Sequence, residues 1–379
     1  MNGPNGAQSR CIYTIDGKIY TGSANNKLQY TTNEGVNWLN STNGLTDNGV
    51  FAVIKCRNFM IVGTNSGVFY NDLNLIGNWL PMNEGLTNYS ITSFCISGSK
   101  LMCGTYGGGV FATDSIGSFW YYLGSGLSNQ TITSLYDNFS EIYCGTYGGG
   151  MWKSTNQGFS WSEITQGLLN FHISHITFGN GNVYCGTYGA GVFRSTNGGL
   201  NWSQVNNGLF NTTIMGLNAT GNKLLTATQS GVFVSLDNGS NWTQFNTSLG
   251  NQSLTCMAIS STKIFVAAEW SGMYKRNLSE VISVNNNTSV ADLNFRLNQN
   301  YPNPFNPTTN IKFSIGKSSE ITMSLYDLSG KFVRTIQQGF FLAGDYNITV
   351  NLEDLPAGVY YYTLETSDSK LTQKMVLVK

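Results

Sequence analysis

Charge is scarce in this 379-residue chain: Asp, Glu, Lys and Arg make up 11%, and 20 basic residues balance 20 acidic ones to a formal net charge of zero. That balance gives no electrostatic reason to approach nucleic acid or an anionic membrane, both of which are recognised through surplus cations. Apolar runs long enough to span a bilayer are missing, so no transmembrane segment is expected. There are only 2 histidines, His172 and His175. Three residues apart on a strand they point to opposite faces, and no Cys-x-x-Cys occurs, so neither a metal site nor a cofactor is expected. Met1 to Arg10 carry neither the basic nor the apolar stretch of a signal peptide. Helical 3.6-residue periodicity is absent as well, which excludes the helical repeat folds.

What the chain has instead is glycine, 44 of them, and 13% aromatics, the composition of short strands and tight turns. Trp38, Trp79, Trp120, Trp161, Trp202 and Trp242 recur at intervals of 41, 41, 41, 41 and 40 residues. Seven units align on Gly22-Ser23, Gly63-Thr64, Gly104-Thr105, Gly145-Thr146, Gly186-Thr187, Ala227-Thr228 and Ala267-Ala268. Each reads as a four-stranded meander whose two apolar faces need neighbours on both sides, and a closed ring supplies them. The spacing therefore predicts an all-β fold with a seven-bladed β-propeller over residues 9–284. In the third unit the strands are expected at Ser90–Ser97, Lys100–Tyr106, Gly109–Thr113 and after Trp120. The last unit is expected to end on a weak outer strand, Glu280–Val284. Gly44-Leu45, Gly85-Leu86, Gly126-Leu127, Gly167-Leu168 and Gly208-Leu209 read as turn plus core anchor.

Ser154 to Trp161, echoed by Ser195 to Trp202, Ser235 to Trp242 and more loosely Thr31 to Trp38, has the form Ser-x-Asp/Asn-x-Gly-x-x-Trp. It resembles the Asp-box, or BNR repeat. Asn33, Asn156, Asn197 and Asp237 are expected to accept amides inside the turn, the glycine to supply a positive φ, and the Trp to plug the seam between strands. The second and third copies, Asp72 to Trp79 and Asp114 to Trp120, are irregular, and the seventh unit has none. The resemblance implies a turn device rather than a reaction. The Gly-Thr and Asn-x-Gly-x-x-Trp pattern also resembles, more weakly, the photosystem II assembly propellers, which implies an assembly or scaffold role.

Cys103, Cys144 and Cys185 hold one position in successive units. Facing sheets lie about 10 Å apart and bridged Cα atoms within about 7 Å, so these three should not pair. Cys95 with Cys103 across a hairpin, and Cys11 with Cys256 where the ring closes, remain candidate pairs.

After Asn285 the composition changes: four of the 6 prolines follow it, three of them in Tyr301 to Pro307. Six strand-like runs between Asn310 and Val378 predict a small Ig-like antiparallel β-sandwich over 292–379, joined by a linker at 285–291. Leu297 to Thr309, with Pro302, Pro304, Phe305 and Pro307, opens this segment. Tyr326 to Lys331 with Gly330, Leu355 to Tyr361 with Gly358, and Lys374 to Lys379 follow. In that order these motifs resemble the type A sorting domain of type IX secretion, the outer-membrane export route of Bacteroidota-like bacteria. The resemblance implies recognition by the export machinery and a secreted or surface-attached bacterial protein. It also implies a signal peptide, which Met1 to Arg10 do not provide.

For the repeats, the loop face opposite the boxes is where a ligand is expected. Tyr106, Tyr147 and Tyr188, each in Gly-Thr-Tyr-Gly-(Gly/Ala)-Gly, would form an aromatic arc for a glycan or an extracellular protein, with Trp270 beside them. Covering their own blade ends is the bland alternative. Sialidases resembling this fold need an arginine cluster, whereas Arg10, Arg57, Arg194 and Arg276 are scattered here and no Arg-Ile-Pro start occurs. An extracellular glycoside hydrolase is the competing class, with Asp47 and Glu269 as its weak candidate carboxylates, provided they stand about 5 or 6.5–9.5 Å apart.

Overall fold

The computed structural model describes residues 9–282 and 295–379, apart from 26–27, 48, 74–77, 139–140, 246–248, 250–251, 261, 270, 316–318, 342–343 and 367–368. Two compact units emerge, one from most residues up to Asn277 and one from Leu278–Lys379.

Among the described residues the first unit forms seven antiparallel sheets whose strands follow one another in chain order, six of four strands and one, the last, of three. In the third sheet the strands are Ile91–Ser97, Lys100–Thr105, Gly109–Thr113 and Tyr121–Tyr122. Leu101–Thr105 and all of Gly109–Thr113 are buried, because a neighbouring sheet covers each face. The aligned glycines make that stacking possible. A Cβ on Gly145 would lie 2.6 Å from Cγ2 of Ile173, the first residue of the next sheet, and Gly63, Gly104 and Gly186 face Ile91, Ile132 and Ile214 in the same way. The threonine after each glycine spends its buried hydroxyl locally: Thr64, Thr105, Thr146, Thr187 and Thr228 each donate at 2.9 Å to the carbonyl of a glycine that opens or immediately precedes the third strand.

The box turns are built by their own side chains. Asn156 Oδ1 accepts from Ser160 N at 2.9 Å, Asn197 from Asn201 N at 3.0 Å, Asp237 from Asn241 N at 2.8 Å and Asn33 from Asn37 N at 2.9 Å. Gly158 adopts φ +89° and Gly199 φ +91°. Asp114 departs from this pattern. Its carboxylate accepts from Lys100 Nζ and Tyr121 OH, both at 3.1 Å, because Ser115 rather than Asp114 stands two residues after the buried hydroxyl of Thr113. Asp72 closes the third strand of the second sheet, and residues 74–77 between it and Trp79 lie outside the described residues.

The tryptophans do more than fill a seam between strands, for they join sheets. Trp120 Nε1 donates to Met82 O at 2.7 Å, Trp161 to Leu123 O at 2.6 Å, Trp202 to Ile164 O at 2.7 Å and Trp242 to Val205 O at 2.7 Å, each acceptor lying in the preceding sheet. Trp79 Nε1 reaches Ser41 Oγ at 3.2 Å in the first sheet. The Gly-Leu turns meet them there: Leu45, Leu86, Leu127, Leu168 and Leu209 are buried, and a Cβ on Gly126 would stand 3.0 Å from Trp161 O. A second clamp uses cations. Lys153 Nζ donates to Gly198 O at 3.0 Å and Arg194 to Asn238 O at 3.1 Å, both in the next box. Lys275 of the seventh sheet donates in the same manner to Glu34 O of the first at 2.7 Å. Together with Thr14 Oγ1 to Ile259 O at 2.9 Å and a shared cluster of Ile19, Phe265 and Met273, it fastens the seventh sheet to the first.

All seven cysteines are free thiols. Cys95 stands opposite Met102 and Cys103 opposite Phe94, so the hairpin register separates the expected pair. Cys256 Sγ faces Ser9 O at 3.7 Å, whereas Cys11 Sγ faces Val50 O at 3.9 Å, toward the second sheet. The expected ring staple is therefore not formed. The outer strand expected at Glu280–Val284 is also corrected, since Leu278–Ile282 is a short helix. The run Asn277-Leu278-Ser279-Glu280 has capping-box spacing, a helix-start signal that outweighs weak alternation.

In the second unit, Arg296–Leu297, Thr308–Ile315 and Gly344–Asn351 form one sheet, and Phe332–Phe341, Ser319–Asp327, Gly358–Glu365 and Lys370–Leu377 the other. Alternation sends Ile311, Phe313 and Ile315 inward to meet Met323, Leu325 and Leu364 in one core. The motif Asp327 to Lys331 is a turn: Asp327 Oδ1 accepts from Ser329 N at 2.9 Å and Lys331 N at 3.0 Å, and Gly330 has φ +82°. The proline-rich opening is fastened to the end of the chain. Phe305 N donates to Val376 O at 3.0 Å, Val378 N to Phe305 O at 2.9 Å, and Val376 N to Asn303 Oδ1 at 2.9 Å. The buried Tyr362 hydroxyl accepts from Asn300 N at 2.8 Å and donates to Asn298 O at 2.7 Å.

Candidate functional site

Each second strand of the first unit ends at Ser23, Thr64, Thr105, Thr146, Thr187, Thr228 or Ala268. The next residue is therefore Ala24, Asn65, Tyr106, Tyr147, Tyr188, Gln229 or Glu269. One end of the stack thus carries an aromatic arc over sheets three to five and amides or a carboxylate on sheets two, six and seven. The tyrosines project from rigid backbone. Tyr106 N donates to Ser90 O at 2.8 Å, Tyr147 N to Thr131 O at 2.9 Å and Tyr188 N to His172 O at 3.0 Å. Their carbonyls accept from Asn88, Asn129 and Asn170 Nδ2 at 3.1, 3.0 and 3.0 Å. The following turns need the left-handed region, with Gly148 at φ +94° and Gly150 at φ +70°. With the backbone pinned, the side chains remain available: Tyr106 is 60% exposed, Tyr147 47% and Tyr188 39%.

Three neighbours of the arc escaped the sequence reading. His172 stacks on Tyr147 with ring centroids 4.3 Å apart and planes 20° from parallel, doubling the platform. Arg10 occupies the bulge between Ser9 and Cys11 on the innermost strand of the first sheet. Its charge reaches the arc, for burial pushes the Tyr188 phenol up, Tyr147 adds to that shift and Arg10 opposes it. The third is the asparagine set. Asn88, Asn129, Asn170 and Asn211 recur at 41 residues, a spacing legible in the sequence itself.

Asp47 stands 41 residues before Asn88 in the same phase. Its Oδ1 accepts from Gly49 N at 2.8 Å, as Asn88 Oδ1 does from Ser90 N at 3.0 Å and Asn129 Oδ1 from Thr131 N at 2.9 Å. Glu269 N donates to Ser253 O at 2.9 Å, and its Oε2 accepts from Ser253 Oγ at 3.2 Å. Each carboxylate therefore serves its own loop, and no described contact joins the two. Trp270 lies outside the described residues. Among the arginines, Arg57 donates to Ser99 O at 3.4 Å, Arg194 holds Asn238 O, and Arg276 lies 4.5 Å over the Phe245 ring. Those three serve different sheet junctions.

Residues 299–379 match the family described as the secretion system C-terminal sorting domain. No curated protein matches the chain. Among solved structures, the extracellular domain of BT4673 from B. thetaiotaomicron is similar with a TM-score of 0.61 at 14% identity, over 99% of this chain and 57% of that one. The chain thus spans little more than half of that relative. YCF48 bound to D1 peptide is similar with a TM-score of 0.60 at 16% identity, over 73% of this chain and 93% of that one. The WD40 β-propeller domain of Doa1 gives 0.56 at 11%, over 71% and 92%. At such identities the likeness carries the fold alone, and the fold is β-propeller-like. The sorting tail makes the chain a type IX export substrate that is secreted or held at the cell surface. No described helix is long and apolar enough to cross a membrane.

Proposed function

We propose that the first unit is a seven-bladed propeller of Asp-box repeats that binds a glycan or an extracellular protein on its loop face without catalysing a reaction. The sorting unit is an Ig-like sandwich within 292–379 and the propeller lies within 9–284, while the linker expected at 285–291 lies outside the described residues. The observation that carries the reading is the arc itself: Tyr106, Tyr147 and Tyr188 are anchored identically through N–H and C=O, yet keep 60%, 47% and 39% of their surface exposed. A tyrosine that only covered its blade end would bury its ring. Aromatic faces opposite Asn65, Gln229 and Glu269 suit a ligand with an apolar face and a hydroxylated or amide edge, as sugars and peptides have. The turn roles of Asp47 and Glu269 support a non-catalytic site over a glycoside hydrolase.

A glycan array and an extracellular protein panel screened with the 379-residue chain test this. Replacing the three tyrosines by Ala together is expected to abolish the best hit and leave the melting temperature within about 2 °C, as for surface substitutions. Undiminished binding by the triple variant would return the arc to a covering role.

A further inference from the structure

The loops that lead from one sheet to the next are laced to the turns on either side. In the loop 165–172, Phe171 O accepts from Gly148 N and Gly150 N at 3.0 Å, Asn170 Nδ2 donates to Tyr188 O at 3.0 Å and His172 O accepts from Tyr188 N at 3.0 Å. In the loop 206–213, Thr212 O accepts from Gly189 N at 3.1 Å and from Gly191 N at 2.8 Å. Both loops are therefore held in place, and so is what they display.

That display differs between copies of the repeat. The residue after each Gly-Leu pair is Thr87, Ser128, Leu169 or Phe210, and two residues on stands Tyr89, Gln130, Phe171 or Thr212. Because Ser128 and Gln130 fill these positions in an equivalent loop, the fold does not require Leu169, Phe171 or Phe210 there. They nevertheless stand 74%, 47% and 68% exposed. Their inner sides are seated: a Cβ on Gly150 would lie 3.0 Å from Phe171 Cδ1, and Phe210 packs edge-on against the buried Phe233 with ring centroids 4.7 Å apart. His172 follows Phe171 and stacks on Tyr147, so this apolar rim runs without a break into the arc. Residues 141–245, which hold the sector, are all described, and 147–150, 165–172, 188–191 and 206–213 contain no Asp, Glu, Lys or Arg.

We propose that this sector of the loop face grips an uncharged, apolar stretch of an extracellular polypeptide, with Leu169, Phe171 and Phe210 as outer anchors and Tyr147 and Tyr188 as inner ones. The inference rests on the loop-face reading above and chooses between its two ligand classes. Stacking on a tyrosine suits a sugar and a peptide alike. Leu169 offers a sugar no π-face, and hydroxyl groups laid over Leu169 and Phe210 would leave water without gaining a partner. Apolar side chains of a peptide gain there instead, and the peptide's backbone amides can meet the tyrosine hydroxyls. A charged stretch would be desolvated against a surface that holds no opposite charge. The laced loops present their anchors already ordered, so little freedom is lost when the partner arrives.

The probe is a displayed library of random peptides about twelve residues long, panned on the full chain, with the best binder resynthesised and titrated by calorimetry. The expected binder is uncharged, carries two or more large apolar side chains, and keeps its affinity between about 0.05 and 0.5 M salt. Leu169→Ser, Phe171→Gln and Phe210→Ser together, which copy the residues of the preceding loop, should weaken it about thirtyfold or more. Should that variant melt early, Leu169→Glu alone, at the most exposed anchor, should still cost about tenfold. Binding that the rim variants leave unchanged would overturn the proposal. So would a selected peptide whose binding depends on its charge and fades with salt, or a glycan held equally by wild type and rim variants but lost with the three tyrosines. That last result would keep the arc and remove the rim. A peptide lost with the rim variants but kept by the tyrosine variant would do the reverse. Self-association of the free chain in sedimentation, abolished by the rim variants, would make a second copy the occupant and also overturn the proposal.

Discussion

The tryptophan wedges allow a paired test of what holds neighbouring sheets together. Trp202→Phe removes a donor that Ile164 O receives at 2.7 Å in a buried junction. The orphaned carbonyl costs roughly 1–3 kcal/mol, and the smaller ring adds about 1 kcal/mol of lost packing. Trp38→Phe deletes a donor that has no partner, so only the packing loss remains and relief of the buried N–H works against it. The two substitutions are chemically identical, yet they should differ by about 2 kcal/mol. In a domain of this size that corresponds to about 4–8 °C of melting temperature. Calorimetry of the full chain, resolving the propeller transition from that of the sorting unit, is the assay, with calorimetric and van't Hoff enthalpies compared before either is converted to free energy. Equal destabilisation by both variants would show that the indoles act through bulk alone and that the sheet-to-sheet hydrogen bond contributes nothing measurable.

His175 gives a pH signature: burial lowers its pKa from 6.5 to about 4, and its Nδ1 is buried without a partner. A folded-state pKa below the unfolded one favours the neutral ring, so this contribution is complete above pH 6.5 and is lost as pH falls toward 4, by at most about 3 kcal/mol. His175→Asn should flatten that part of the stability profile, and an unchanged slope between pH 6.5 and 4 would refute the assignment. Gly126 has φ +91° and a Cβ site 3.0 Å from Trp161 O, whereas Gly98 has φ +60° and open space around it. Gly98→Ala should cost about 1 kcal/mol of backbone strain, and Gly126→Ala visibly more, in the same melts. Tyr362→Phe in the sorting unit removes both bonds to the Asn298–Asn300 backbone and should lower export yield in a type IX host. Wild-type yield would mean that the opening motif needs no such anchor.

Spacing exposed the repeat because a ring of near-identical sheets has to reuse its wedge, and six tryptophans at 41- or 40-residue steps are hard to miss. It also placed the strands to within a residue or two, as with Lys100–Tyr106 read and Lys100–Thr105 observed. Partnerships between sheets were hidden. An indole that bonds a carbonyl 38 residues earlier, as Trp161 does to Leu123, leaves no local pattern. Cys95 and Cys103 show how one residue of register separates side chains that a hairpin drawn by eye would bring together. At the loop face the aromatics were legible because Tyr106, Tyr147 and Tyr188 recur in one glycine-flanked motif at 41-residue steps. The Asn88 series was not, although it pins the tyrosines, because asparagine is plentiful in every turn. Arg10 was beyond reach, since only the bulge and the closure of the sheets bring it toward Tyr188.

Fastening Phe305 and Asn303 to Val376 has a consequence for how the export label is read. Its first and last words are written some seventy residues apart and become adjacent only on folding. A ribosome that stops before the final strand leaves the opening words with nothing to lie against. The composite surface therefore exists only where the strand Lys370–Leu377 has been made and has folded against the opening words.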